Sequence, residues 1–240
     1  MAEYKLILKE KEKVARETVS FRFEKPKGFD YLPGQFLTLI YENMPFTDKK
    51  GNRRSMSIAS SPTEPLIHIT MRIGSSAFKR SLEQSKPGDQ FTATGPFGKF
   101  CMPEDVSVPL VFLAGGIGIT PFRGMLKYSI DKKIHRDISL IYCNSCIKDA
   151  AYLDEIQKWA NDYDFINYIP TMTDKDCVEP EWTGCIGLIT PELLRDNLPD
   201  IMKPNYLIVG PPGMVEAMVN MLHEQKITDD KILIEKFTGY

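Results

Sequence analysis

The sequence lacks a strong excess of either charge. Among its 240 residues, 30 lysines and arginines stand against 32 acidic residues, and the formal net charge is -2. Proteins that bind nucleic acid or an anionic membrane through long-range electrostatics usually carry a clear positive surplus. We therefore expect no nucleic-acid partner and favour a small molecule or another protein.

Long apolar runs are also missing near the start of the chain. Residues 1–13 alternate apolar and charged side chains, a pattern typical of neither a signal peptide nor a membrane anchor. Five scattered cysteines fit a reducing compartment better than a disulfide framework. We expect a cytoplasmic protein without membrane insertion.

Metal-ligand spacing is absent as well. His68, His135 and His223 lie far apart, and Cys143 and Cys146 form the only C-x-x-C pair. That pair follows a predicted buried strand and lacks a second close pair, which a zinc or iron-sulfur site normally requires. We expect no metal site and interpret the cysteines as buried or incidental thiols.

The first part of the chain, residues 1–103, has the pattern of an antiparallel β-barrel or sandwich. Short alternating segments are separated by turn residues such as Pro33-Gly34. One helix is predicted at 76–85, where apolar residues recur at helical spacing behind a serine cap. The predicted strands include 18–23, 35–40, 66–71 and 90–94.

The second part, residues 104–240, predicts an α/β fold with a doubly wound parallel sheet. Near-continuous apolar segments alternate with helices, which indicates strands buried on both faces. Thr120-Pro121 and Thr190-Pro191 each place a capping hydroxyl before a proline, as at a helix start. The predicted strands are 110–114, 138–142, 165–169, 206–209 and 232–234. A helix at 213–225 is expected to bury Met214, Ala217, Met218, Met221 and Leu222.

A glycine-rich turn follows the first of these strands. Gly116 and Gly118 precede Thr120-Pro121, so backbone amides and a helix start face any bound anion, and a pyrophosphate is the natural ligand. Pro121 stands where the third glycine of G-x-G-x-x-G is expected, and a turn needed only for packing is the alternative. Gly210-Pro211 ends another strand, and we expect both turns at one sheet edge.

The ordered set of motifs resembles the ferredoxin-NADP reductase family over nearly the whole chain. The motifs are Pro33-Gly34-Gln35-Phe36, Arg54-Ser55-Met56-Ser57-Ile58-Ala59-Ser60, Gly95-Pro96-Phe97-Gly98, the glycine turn at 115–121, and Gly210-Pro211-Pro212. The resemblance implies two domains: an FAD-binding barrel at 1–103 and an NAD(P)-binding α/β domain at 104–240.

The same resemblance implies which residues bind FAD. Arg54 matches the arginine that binds the cofactor's pyrophosphate, which charge-assisted hydrogen bonds favour. Ser57 would lie near the reactive nitrogen of the flavin as a catalytic residue, and Met56 stands where an aromatic usually stacks on the isoalloxazine. A solvated loop charge at Arg54 and a strand serine at Ser57 are the alternatives. The further candidates are Ser55, Arg72, Gly74, Ser75 and Ser76.

On the nicotinamide side, the resemblance implies Gly116, Gly118, Thr120 and Pro121 at the first turn and Gly210 and Pro211 at the second. Asn144-Ser145 lie at the end of the second parallel strand, where side chains distinguish NADH from NADPH. This polar pair could bind either nucleotide, so the sequence does not decide between them. Phe237 is the expected aromatic gate over the flavin, with Tyr240 as a second candidate. A frayed edge strand is the alternative.

The resemblance implies an enzyme that passes a hydride from NAD(P)H to FAD and then delivers electrons to another molecule. Since no electron-carrier domain is recognisable, we expect a separate carrier protein such as ferredoxin or flavodoxin. The alternatives are a reductase of free flavins or ferric chelates, an electron-transfer subunit of a larger complex, and a nucleotide sensor without flavin.

Overall fold

The structure is a computed structural model that describes residues 2–178 and 180–238. The chain divides into two compact units: one runs up to Met102 and includes Thr120–Asp131, and the other comprises Pro103–Ile119 and the chain from Lys132 onward. The predicted domains at 1–103 and 104–240 assign the helix at 120–131 differently, and their boundary stays a prediction. No helix among the described residues is long and apolar enough to cross a membrane.

The first unit is built on a six-stranded antiparallel sheet. Its strands are β1 (Glu3–Ala15), β2 (Thr18–Glu24), β3 (Phe36–Ile40), β4 (Arg53–Ser57), β5 (Leu66–Arg72) and β6 (Gln90–Phe97), in the order β4-β3-β6-β1-β2-β5. Ile58 forms a bridge to Ile69, and the Ala59 N–H donates to the carbonyl of His68 at 2.8 Å. Because these contacts join the two outer strands, the sheet closes into the predicted barrel.

Alternating side chains fill the barrel interior. Phe21, Phe23, Leu37 and Leu39 are fully buried, as the period of two in a strand requires. One helix, α1 (Ala77–Gln84), follows β5, and the Ser76 side chain accepts a hydrogen bond from the Lys79 N–H at its start. The predicted helix and its serine cap are therefore confirmed.

A second helix, α2 (Ile119–Lys132), contributes residues 120–131 to this unit. An added Cβ at Gly124 would lie 2.8 Å from the carbonyl oxygen of Ser60, so the helix backbone lies close to the barrel there. A 3-10 turn at Gly116–Gly118 leads into α2, which begins one residue before Thr120. The predicted role of Thr120 as the residue capping this helix is therefore wrong.

The second unit is built on a six-stranded parallel sheet, ordered β10-β9-β8-β7-β11-β12. The chain order reverses between β7 and β11, which is the switch point where doubly wound sheets bind ligands. The predicted fold class is confirmed, and every predicted strand overlaps an observed one. The elements are β7 (Leu110–Gly115), β8 (Ile138–Asn144), α3 (Leu153–Asp162), β9 (Ile166–Met172), β10 (Cys185–Ile186), α4 (Pro191–Asn197), β11 (Asn205–Gly210), α5 (Pro212–Glu224) and β12 (Ile232–Lys236).

The helix predictions in this unit are partly confirmed. Thr190 caps α4 by accepting from the Leu193 N–H, with Pro191 in the first turn. In α5, Met218, Met221 and Leu222 are buried as expected, whereas Ala217 is exposed and Val215 takes its place in the core. Val215 lies on the buried side of the helix, and Ala217, two positions later, therefore points to the opposite side.

Candidate functional site

Arg54 lies on β4 with an incompletely satisfied guanidinium. Its Nη1 donates to the carbonyl oxygens of Lys50 at 2.9 Å, Gly51 at 3.2 Å and Arg53 at 2.6 Å. Its Nη2 is buried and has no hydrogen-bond partner among the described residues. Buried donors are nearly always paired in folded proteins, so this atom is suited to an anionic acceptor.

A cluster of cations surrounds the start of α1. Burial lowers the pKa of Lys79, and the nearby charges of Arg72, Arg54 and Lys50 lower it further. An added Cβ at Gly74 would lie 3.6 Å from Lys79 Cδ, which places that glycine against the same side chain. The structure thus brings Arg54, Arg72 and the loop at 74–76 around Lys79. Mutually repelling cations at one place are stabilised by a bound anion.

Sequence reasoning missed Lys79. A lysine on the polar side of a short helix is normally solvated, and only its position three residues after Ser76 hints at a role. Arg72 and Ser75 are exposed, and Arg72 also lies 3.9 Å from Glu17. A diphosphate fits this cluster, because it offers the two negative groups that the surrounding donors can share.

The Asp48 carboxylate already accepts a hydrogen bond from a backbone N–H at the start of α1. Its Oδ2 accepts from the Ala77 N–H at 2.8 Å, and this hydrogen bond lowers the pKa of the carboxyl group. The carboxylate therefore lies at the N-terminal end of α1, where the helix dipole favours negative charge. A phosphate that uses the Ala77 amide has to displace Asp48 from it.

Three further residues of the Arg54 motif differ in exposure. Ser57 is 8% exposed, Met56 is half-buried and packs against the barrel core, and Ser55 is exposed with its Oγ 3.3 Å from Thr38 Oγ1. The catalytic role predicted for Ser57 and the flavin contacts predicted for Ser55 and Met56 stay predictions.

The two glycine-rich turns of the second unit meet at the switch point of its sheet. An added Cβ at Gly118 would lie 2.5 Å from the Val209 carbonyl oxygen, and one at Gly210 would lie 3.4 Å from the Gly115 Cα. Gly116 has a φ of +54°, which favours glycine. Thr120 and Pro121 are buried, and Pro211 is exposed. The turns after β7 and β11 thus form one glycine-lined surface at the carboxyl edge.

Asn144 ends β8 at the same edge with an unsatisfied side chain. It is 5% exposed, and its Nδ2 has no hydrogen-bond partner among the described residues. Its carbonyl accepts from the Thr173 N–H at 2.9 Å, and that of Ser145 accepts from the Asp174 N–H at 3.1 Å. The free amide donor suits a hydroxyl or phosphate oxygen of a nucleotide ribose.

Phe237 continues β12 towards the second glycine turn. Its N–H donates to the Gly210 carbonyl at 3.0 Å, and its side chain is half-buried. The gate role of Phe237 stays a prediction, and Tyr240 lies outside the described residues. Glu235, which sequence reasoning did not include among the site residues, pairs with Val209 across β11 and β12. Burial raises its pKa to about 7, and its Oε2 has no partner among the described residues.

We expect Glu235→Gln to change how stability depends on pH. Because the folded-state pKa is raised above the unfolded value of roughly 4.3, the wild-type carboxyl group stabilises the fold below pH ~4 and loses this contribution as pH rises to about 7. The variant should gain on the order of 2 kcal/mol over wild type across that window. Urea unfolding at a series of pH values measures the difference, and parallel curves would contradict the assignment.

The cysteines differ from the prediction at two positions. Cys146 and Cys177 form a disulfide, whereas Cys101, Cys143 and Cys185 are thiols. The parallel strands β8 and β9 end side by side, which brings two Cα atoms separated by 31 residues to 5.2 Å. The interpretation of these two residues as incidental thiols is wrong. Their sulfur atoms and the Asp174 carboxylate lie within 4.8 Å of one another.

Comparison with known proteins matches both parts of the chain. Residues 112–220 match the oxidoreductase NAD-binding domain family. The reductase component of propane 2-monooxygenase from Rhodococcus jostii is 27% identical over 95% of this chain and 62% of its own length. The crystal structure of an Amycolatopsis cytochrome P450 reductase superposes with a TM-score of 0.82 at 23% identity, covering 99% of this chain and 71% of that one. A Neisseria gonorrhoeae ferredoxin NADP+ reductase with bound FAD and NADP gives 0.81 at 19% identity, covering 98% of both.

The chain has the two-domain fold of these reductases, and its residues 112–220 match the oxidoreductase NAD-binding domain family. It spans under two thirds of the length of the Rhodococcus relative. The shared fold includes the barrel and the doubly wound sheet, whereas the surroundings described for Arg54, Lys79 and Asn144 are those of this chain.

Proposed function

We propose that the chain is an FAD-dependent NAD(P)H oxidoreductase. The observation that carries the proposal is that each unit has its own set of groups suited to a phosphate. The first unit gathers cations around Arg54 and Lys79, and the second joins two glycine-rich turns at a switch point. When bound, FAD supplies a ring that accepts a hydride from nicotinamide and releases electrons singly.

In the first unit, Arg54 and Lys79 would hold the pyrophosphate of FAD. The buried Arg54 Nη2 supplies a charged donor without a competing acceptor among the described residues. Ser76 and the backbone at Gly74 and Ser75 complete the expected contacts, and Arg72 adds charge at the rim. Ser57 would hold a proton near the flavin ring, and Met56 would contact the ring through its thioether.

In the second unit, the glycine turns would bind the pyrophosphate of NADH or NADPH. Gly116 and Gly118 allow close approach of the backbone, and Gly210-Pro211 form the other side. Thr120 and Pro121, which follow the first turn along the chain, are further proposed nucleotide-binding residues. Asn144 and Ser145 would bind the ribose end. Phe237 would cover the flavin until nicotinamide arrives.

The electron acceptor in this proposal is a separate small carrier protein, such as ferredoxin or flavodoxin. The name of the Rhodococcus relative, a reductase component, supports a role within a multicomponent system. A second candidate is an electron-transfer subunit with little reductase activity of its own, which the methionine at position 56 favours, because it replaces the usual aromatic contact. The proposed location is the cytoplasm.

Anaerobic reduction tests cofactor, donor and acceptor in sequence. The purified protein is incubated with FAD, freed of excess, and titrated with NADH and with NADPH while flavin absorption is followed. Ferredoxin, free flavin and a ferric chelate are then offered in turn. Reoxidation by the protein carrier supports the main proposal. Flavin that neither nucleotide bleaches favours the subunit, and protein that retains no flavin contradicts both.

Arg54→Ala should weaken FAD binding by roughly 10- to 100-fold. Hydrogen bonds to charged groups contribute about 1.5 to 3 kcal/mol, and Arg54 has a buried donor for which no acceptor exists among the described residues. Arg53→Ala is the matched control, because Arg53 is the adjacent arginine and its side chain is exposed. Equilibrium dialysis of FAD measures both variants. An unchanged dissociation constant for Arg54→Ala would remove this residue from the proposed site.

A further inference from the structure

The Cys146–Cys177 disulfide joins two loops at the carboxyl edge of the parallel sheet. Cys146 lies two residues after the end of β8, and Cys177 ends a 3-10 turn that follows β9. Asn144, with its unsatisfied buried amide, is two residues before Cys146. The disulfide is therefore adjacent to the segment that the proposed function assigns to the ribose end of the nucleotide.

Hydrogen bonds between the described residues also tie these loops together. Backbone hydrogen bonds run from Thr173 to Asn144 and from Asp174 to Ser145, at 2.9 and 3.1 Å. Beyond them, Asp174 binds its own loop: Oδ1 accepts from the Asp176 N–H at 3.0 Å. The Thr173 hydroxyl also donates to the Asn144 carbonyl at 3.5 Å. Loops held by three hydrogen bonds and one covalent link lose much of their order when that link is cut.

The disulfide has access to a reductant. Cys146 is buried, but Cys177 is partly exposed, so a thiolate can approach its sulfur. Asp174 Oδ2 lies 3.3 Å from Cys177 Sγ and can accept a hydrogen bond from the thiol formed on reduction. Disulfides inside cells are mostly redox-sensing or catalytic, and those with exposed sulfur are the ones most open to exchange.

We infer that Cys146 and Cys177 form a thiol–disulfide switch that regulates nucleotide binding, an inference that rests on the proposed function. In the oxidised state the cross-link holds the 144–146 and 173–177 segments in place, so the nucleotide meets an ordered site. A separate protein with a dithiol reduces the pair. The sulfur–sulfur bond between Cys146 and Cys177 breaks and two thiols form. The two electrons and two protons come from the dithiol, which becomes a disulfide. The loops then loosen, and the nucleotide dissociates more readily.

The first test counts thiols and measures loop order. In denaturant, three of the five cysteines should react with a thiol reagent before treatment with dithiothreitol, and all five should react after it. Amide hydrogen exchange at residues 173–178 should accelerate on reduction, while exchange in β1 and β2 stays unchanged. Five reactive thiols before reduction would show that the disulfide does not form and overturn the inference.

The second test measures nucleotide affinity of the FAD-loaded protein by calorimetry, with a metal chelator present throughout. Reduction should weaken NADH or NADPH binding by roughly 3- to 10-fold, because the cross-link no longer lowers the cost of ordering the loops on binding. Cys146→Ser and Cys177→Ser should each show the weaker affinity with or without dithiothreitol. Cys185→Ser, whose thiol is free, is the control and should respond like wild type.

The outcomes separate this inference from the proposed function. Equal affinity in both redox states, together with a change from three to five thiols, overturns the switch and leaves the oxidoreductase intact. Absence of nucleotide binding in either state contradicts the proposed function, and with it the switch. Tighter binding after reduction also overturns the inference, because the cross-link would then hinder the site.

Discussion

Arg123→Ala is expected to lower the free energy of unfolding of the first unit by about 3 to 5 kcal/mol, the usual effect of removing one partner of a buried ion pair. Arg123 is 4% exposed, and its Nη1 donates to Glu64 Oε2 at 2.5 Å, with Glu64 itself 12% exposed. The alanine variant leaves the carboxylate in a site with little water. Glu64 Oε2 keeps the hydrogen bond from the Ser61 N–H at 2.7 Å but loses its cationic partner, so most of the effect comes from this uncompensated charge.

Lys127→Ala is the matched control for this prediction. Lys127 lies one turn later on α2 and pairs with Asp131 at 2.6 Å, but its side chain is 29% exposed, so we expect a change below about 1 kcal/mol. Both tryptophans, Trp159 and Trp182, belong to the second unit, and their fluorescence does not report directly on the first. Urea unfolding is therefore followed by far-ultraviolet circular dichroism and by release of FAD.

A second variant separates the ion pair from its desolvation. Arg123→Met combined with Glu64→Leu removes both charges and keeps much of the volume, which is often neutral for buried pairs. The double variant should unfold within about 1 to 2 kcal/mol of wild type. Equal losses in Arg123→Ala and the double variant would indicate that packing, and not the stranded carboxylate, dominates.

The carboxyl edge of the parallel sheet could be predicted because its determinants are local. Gly116, Gly118 and Gly210 each stand at the end of an apolar strand, and a tight turn or close backbone approach at such a place requires glycine. The same holds for Ser76 and Thr190, whose hydroxyls cap α1 and α4 by accepting from N–H groups three residues later in the sequence. In each case the side chain and the feature it explains lie within a few residues.

The features that the sequence did not reveal depend on pairs that are distant along the chain. Arg123 and Glu64 are 59 residues apart, and Cys146 and Cys177 are 31 apart. Their proximity follows from which elements and loops become neighbours on folding, which no local pattern encodes. Lys79 was missed for a related reason. It lies on α1, whereas its neighbours Arg54 and Arg72 come from β4 and β5, so the three charges come together only on folding.

Asp48 adds a competitor that the sequence motif alone does not indicate. The cation cluster around Lys79 fits a diphosphate, yet the Asp48 carboxylate accepts from the Ala77 amide at the start of α1. A negative group is thus already stabilised where the cofactor's phosphate would gain from the helix start. In the proposed site, FAD binding at this amide would exchange one anion for another, and its net affinity would depend on Arg54 and Lys79 more than on the helix.

Gly118→Ala is expected to weaken nucleotide binding by roughly 10- to 100-fold, equivalent to about 1.4 to 2.8 kcal/mol. The added Cβ would lie 2.5 Å from the carbonyl oxygen and 2.8 Å from the carbonyl carbon of Val209, and both are backbone atoms of β11. Relief of this overlap requires the turn after β7 to move away from β11, which separates the two glycine turns. Overpacking of this kind also destabilises folded proteins by about 1 to 3 kcal/mol.

Gly213→Ala distinguishes this steric effect from a general loss of glycine. Gly213 lies in the first turn of α5, and an added Cβ there has no atom within 4 Å, so its affinity and stability should stay close to wild type. Nucleotide titration by calorimetry and urea unfolding by tryptophan fluorescence give the two readouts for the second unit. If Gly118→Ala loses stability but binds nucleotide normally, the turn is needed only for packing, and the binding role of Gly118 fails. If it loses affinity at least 10-fold and Gly213→Ala does not, the close contact between the turns is what shapes the site.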